Sequence, residues 1–170
     1  RDRQRTPARP QMTTDLSGPS RRKHITLVAT AAAVFAVDLA TKITASAALA
    51  DRDIDLPGPL DLRLSHNPGV AFGMGNDTPT WLVLTLTGAV AAGIAVAAWR
   101  GLFASSIAAG VVVGGALANV ADRSQAGTVV DMLYTGWWPT FNVADVAIVC
   151  GAFALAATAW RAPPEPATVP

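Results

Sequence analysis

Long apolar runs alternate with short polar stretches along this chain, and that alternation predicts its architecture. Crossing about 30 Å of hydrocarbon takes about 20 residues at about 1.5 Å each, and the stretches 25–47, 80–99, 101–121 and 141–160 meet this demand. The expected fold is an all-α integral membrane protein with four transmembrane helices and a small extracytoplasmic β-containing loop region. In the loop after the first span, Leu60, Leu62 and Leu64 alternate with Asp61, Arg63 and Ser65, the two-residue period of a half-buried strand. In the loop before the last span, Tyr134, Trp137 and Trp138 precede Pro139. Such a cluster suits the headgroup level, so this second loop is expected to lie on the bilayer surface.

Charge sets the orientation. Arg21, Arg22 and Lys23 precede the first span, Arg100 separates the second from the third, and Arg161 follows the fourth. By the bias of basic residues toward the cytoplasm both termini are expected inside, which leaves the Asp-rich loops 48–79 and 122–140 outside. Residues 1–22, rich in Arg, Pro, Thr, Gln and Ser, are expected to be a disordered cytoplasmic extension; 23–161 is the membrane domain and 162–170 a cytoplasmic tail. The first apolar run is too long for a signal-peptide core and holds Asp38 and Lys42, so it is expected to be retained.

Composition agrees with a membrane protein, at 51% hydrophobic and 15% charged. Cys150 is the only cysteine, which excludes an intrachain disulfide and a cysteine-rich metal site. His24 and His66 flank different elements without a third ligand nearby, so no zinc hydrolase is expected. Neither a cofactor nor a nucleic-acid partner is indicated.

The chemistry lies in the exceptions to apolarity. The second and third spans contain no charge, whereas the first holds Asp38 and Lys42 and the fourth holds Asp145. Charges in hydrocarbon cost several kcal/mol unless they face a bundle interior or a wet cavity. Counting from the inner ends puts Asp38 roughly 20 Å and Asp145 roughly 22 Å across, with Asp122 closing the third span near the same surface. Three carboxylates therefore converge. Two aspartates held close share a proton, giving one carboxylate to activate water and one acid to protonate a carbonyl oxygen. Taken singly, Asp122 could instead pair with Arg123, and Asp145 could serve the helix dipole. Asn119 and Asn142 each lie three residues before an aspartate on the same helical face; Asn142 could also be a helix cap. Asp38 and Lys42, four apart, read as a structural and electrostatic pair.

Four blocks carry a resemblance: Asp38-Leu39-Ala40-Thr41-Lys42, Asn67-Pro68-Gly69-Val70-Ala71-Phe72, Gly114 to Arg123 (GGALANVADR) and Phe141-Asn142-Val143-Ala144-Asp145. In this order, at these topological positions, they resemble the signature of lipoprotein signal peptidases, the type II signal peptidase family of aspartyl membrane proteases. The resemblance covers about residues 25–160. It implies that the protein cleaves diacylglyceryl-modified prolipoproteins immediately before the lipidated cysteine, with Asp122 and Asp145 as the catalytic dyad. Asn119, Asn142, Asn67, Arg123, Asp38, Lys42, Gly69, Phe72 and Ala144 are then expected to bind substrate or support the site. No metal or covalent intermediate is needed. The implied setting is the bacterial inner membrane, the active site faces outward, and the expected partners are prolipoproteins and membrane lipid, with one chain sufficient. Asp131, in Val129-Val130-Asp131, also resembles a recurrent family position but reads as a solvated residue ordering its loop. Ala118 and Leu39 stand where the family usually has Gly and Gln. A catalytically silent homologue and a small proton-coupled transporter component are the alternative readings.

Overall fold

The computed structural model describes residues 20–68 and 79–160. Gly69 and Phe72, singled out above, lie outside the described residues, as does most of the N-terminal extension. The order is α1 (Arg21–Ala48), β1 (Asp61–Asn67), α2 (Thr80–Trp99), α3 (Ser106–Ala126), β2 (Val129–Tyr134) and α4 (Val143–Trp160). Of the four helices, α1, α2 and α4 are long and apolar enough to cross a membrane by length and composition. Helix α3 is more polar toward its end but packs against α1, α2 and α4, so its neighbours rather than lipid cover much of it. The faces turned away from it are apolar and open: Trp81 is 66% exposed and Phe153 73%. Apolar surface on this scale marks a surface covered by lipid rather than water.

Helix α3 differs from its expected span at both ends. It starts at Ser106 because Gly101 turns the chain in the left-handed region (φ 77°) and Ser105 caps the first turn, accepting from the Ala108 N–H (3.1 Å). It runs on to Ala126, where Gly127 takes the left-handed C-terminal position (φ 73°). Asp122 and Arg123 therefore lie inside the helix, one turn before its end.

Small residues let α3 come close to its neighbours, as is usual between membrane helices. A Cβ built at Gly110 would lie 2.7 Å from the Leu27 carbonyl oxygen of α1, and one at Gly115 2.7 Å from the Ala144 carbonyl oxygen of α4. Ala118, two turns beyond Gly110, is itself buried, so the fold accommodates its methyl group. Gly115→Ala is expected to push α4 outward and to lower the melting temperature, and to displace Asp145, which Ala144 adjoins. Gly88→Ala, where a Cβ meets nothing within 4 Å, is expected to hold or raise the melting temperature through helix propensity, by up to about 1 kcal/mol. Parallel melts in detergent check the contrast.

Strand β1 forms where the leucine alternation predicts a strand. Its partner is β2, antiparallel, with Asn67 opposite Val129 and a bulge between Leu62 and Ser65. The loop expected on the bilayer surface thus begins as a strand, because pairing with β1 satisfies its backbone polar groups. Met132 packs with Ala45 of α1, with Leu49 just past its end and with Val130, seating the sheet on the C-terminal end of α1. Asp131 lies between these two residues in sequence and points to the opposite face.

Candidate active site

Lys42 is a hub. Its ammonium group lies 2.6 Å from Asp38 Oδ2 and 2.9 Å from Asp122 Oδ2 and donates to Asn119 Oδ1 at 2.9 Å. An ammonium carries three donors, so these acceptors match its capacity. Asp38 and Lys42 are almost completely buried, a state tolerated only when charges are paired and hydrogen-bonded. The pair expected to neutralise itself within α1 therefore extends to α3, and Asp122 is committed to that ion cluster.

The start of α4 is fixed by three side chains. Asn142 Oδ1 accepts from the Asp145 N–H (2.9 Å) and Asp145 Oδ2 accepts from the Asn142 N–H (3.2 Å), a reciprocal cap of the capping-box type. Asp38 Oδ1, from α1, accepts from the Ala144 N–H at 2.7 Å, satisfying another donor of the first turn. The cap and dipole roles weighed for Asn142 and Asp145 are both present, without exhausting either side chain.

Asn142, fully buried, also donates through Nδ2 to Asn119 Oδ1 (3.2 Å) and to Asp131 Oδ1 (2.7 Å). Asn119 Nδ2 donates to Asp145 Oδ1 (2.8 Å), and Asn67 Nδ2 to Asp131 Oδ2 (3.2 Å). One asparagine thus touches two aspartates, Asp131 and Asp145, and amide groups hold both. The two line one cavity of about 290 Å³ with Asn67, Arg123, Trp138 and Phe141. Arg123 is buried and feels the charges of Asp131, Asp145 and Asp122. Beside Asp145 an apolar groove of about 330 Å³ opens between Trp137, Phe141, Val146 and Val149.

Asp131 overturns its solvated reading, being 1% exposed. Burial, joined by the charge of Asp145, pushes its carboxyl up to about 6, against the bonds from Asn142 and Asn67 and the charge of Lys42. The folded state therefore holds this proton above the ordinary value of 3.8. Its contribution to stability is full below that ordinary value and is lost as pH rises through about 6. Melting temperature is expected to fall across this window, and Asp131→Asn to remove that part of the slope. The sequence hid this residue because its partners, Asn67 and Asn142, come from β1 and the start of α4.

Apolar helices around amide-held carboxylates are the setting that an aspartic-type membrane peptidase requires. A family model described as signal peptidase (SPase) II matches residues 30–161. The lipoprotein signal peptidase of Rhodococcus jostii (strain RHA1) is 41% identical over 144 residues, covering 79% of this chain and 72% of the relative. That of Mycobacterium avium (strain 104) is 36% identical over 149 residues, covering 81% and 79%. A bacterial membrane enzyme solved by the in meso method at 2.3 Å shares the fold, with a TM-score of 0.69 and 22% identity over 85% of this chain and 94% of that one. The chain belongs to the signal peptidase II family: it is a membrane-embedded aspartic-type peptidase that removes signal peptides from prolipoproteins.

Proposed function

We propose that Asp131 and Asp145 form the working pair, and that cleavage falls immediately before a diacylglyceryl-modified cysteine. The observation that carries this reading is Asn142, whose side-chain Nδ2 binds Asp131 and whose backbone N–H binds Asp145 in one cavity. Asp122 is the partner expected from the sequence. One contact favours it: Lys42, which it binds, also binds Asn119, the donor to Asp145. Its engagement with the lysine leaves it less suited to exchange a proton, and its role here is to balance Lys42.

In the proposed reaction one carboxylate of the pair takes a proton from water as its oxygen attacks the scissile carbonyl carbon. The other, protonated, gives its proton to the carbonyl oxygen, forming a tetrahedral diol. As the diol collapses, a hydroxyl proton returns to the carboxylate that had given one up, the C–N bond breaks, and the leaving nitrogen takes the water-derived proton from the other carboxyl to become the new amino terminus. Asn67 and Arg123, on the cavity wall, are placed to bind the peptide backbone. The groove beside Asp145 suits the acyl chains, so lipid attachment sets the bond to be cut. The sheet end of the bundle faces outward from the bacterial inner membrane and both termini face the cytoplasm, in line with the basic residues at the opposite end. All these groups belong to this chain, and the reading takes one chain as the working unit.

The test is cleavage of a diacylglyceryl-modified prolipoprotein peptide by the purified protein in detergent, beside the unmodified peptide. Cutting of the lipidated peptide alone, before its cysteine, is expected; equal cutting of both would remove the lipid from the recognition. Because the pair needs one proton, kcat/KM is expected to fall as pH rises through about 6. Asn67→Ala, which removes a bond that lowers the Asp131 value, should move that limb to higher pH.

A further inference from the structure

We infer that the end of the bundle remote from the sheet binds an anionic glycerophospholipid. A groove of about 530 Å³ lies there between the first turns of α1 and the last residue of α2, lined by Arg21, His24, Ile25, Val28, Ala32 and Trp99. Its wall is built rather than incidental. The Trp99 and His24 rings stack at 4.0 Å and 7°, and His24 Nε2 donates to the Trp99 carbonyl oxygen at 2.9 Å, closing the C-terminal end of α2 against α1. Trp99 is nevertheless 51% exposed, so one face of its indole remains available.

The mouth and the floor of the groove ask for different chemistry. Arg21 lines the groove, Arg22, Lys23 and Arg100 adjoin its lining residues along the chain, all four are exposed, and no Asp or Glu occurs among residues 20–37 or 79–121. The nearest acidic group along α1, Asp38, is bound to Lys42 some four turns away. The floor is apolar, with Ile25 and Val28 more than half exposed and Ala32 leaving room beside them. A free phosphate would meet the cations and leave the floor uncovered. A zwitterionic lipid would cover the floor and offset its own phosphate with its own cation. An anionic phospholipid satisfies both, its headgroup among the basic residues and one acyl chain along α1, with Trp99 at the interfacial level where indoles concentrate.

The full chain in detergent is titrated with phosphatidylglycerol carrying brominated acyl chains and, separately, with brominated phosphatidylcholine. Quenching of the Trp99 signal is taken as the difference between the wild type and Trp99→Phe. Phosphatidylglycerol is expected to quench at the lower mole fraction. Arg21→Gln and Arg100→Gln, both at exposed positions, should each weaken it roughly fivefold while leaving phosphatidylcholine unchanged. Inorganic phosphate should not displace it. Equal quenching by the two lipids, an unaltered preference in the arginine variants, or displacement by phosphate alone would each overturn the proposal.

Discussion

Asp131→Asn and Asp145→Asn are each expected to lower prolipoprotein cleavage by about a thousandfold or more, since either change removes one partner of the proposed acid–base pair. Each is also expected to lower the melting temperature somewhat, because the new amide nitrogen cannot accept from the donors that hold these carboxylates, a loss offset in part by relief of repulsion between the two charges. Asp122→Asn behaves differently. It takes one acceptor charge from Lys42, which keeps Asp38 and Asn119, so stability falls by about 1–3 kcal/mol and activity falls with it. Cleavage rates and melting curves of the three variants, measured together, separate the roles. Wild-type cleavage by Asp131→Asn would return the dyad to Asp122 and Asp145.

Lys42→Met has the larger structural effect. It strands Asp38, which is fully buried, and Asp122 without their shared cation, and breaking a buried ion pair by removing one partner costs about 3–5 kcal/mol. Lys42→Arg does not rescue it, because a planar guanidinium cannot place three donors where a compact ammonium sits. Adding Asp38→Asn to Lys42→Met recovers part of the loss, since one uncompensated charge is gone. Chemical denaturation in detergent measures the cycle, and strict additivity of the two changes would show that the pair is not coupled.

The helices were legible because charge-free apolar runs have few other fates, and the leucine alternation at 60–64 was enough for β1. Strand β2 was not legible. Val129-Val130-Asp131 reads as a loop unless its partner is known, and that partner lies more than sixty residues earlier. The same distance concealed the grouping of the carboxylates. Counting residues along helices placed Asp38, Asp122 and Asp145 at one depth but gave no direction around each helix axis. That direction binds Asp122 to the lysine and sets Asp145 beside Asp131. The Asn-x-x-Asp spacing did identify Asn119 and Asn142 as companions of the carboxylates. Their bonds run across helices, from Asn119 of α3 to Asp145 of α4 and from Asn142 to Asp131 of β2.

The hold of Asp38 on the first turn of α4, across 106 residues, also bears on how the chain is made. The first helix enters the membrane carrying an aspartate and a lysine that have only each other, and their remaining partners emerge from the ribosome with the third and fourth helices. Until the last of these is inserted, Asp131 lacks its neighbour Asp145 and the Asn142 amide that holds it. On the proposed pair the nascent protein is expected to be inert until the fourth helix is in place, and a translation product that stops short of Asn142 is expected to be a membrane-anchored fragment that does not cut.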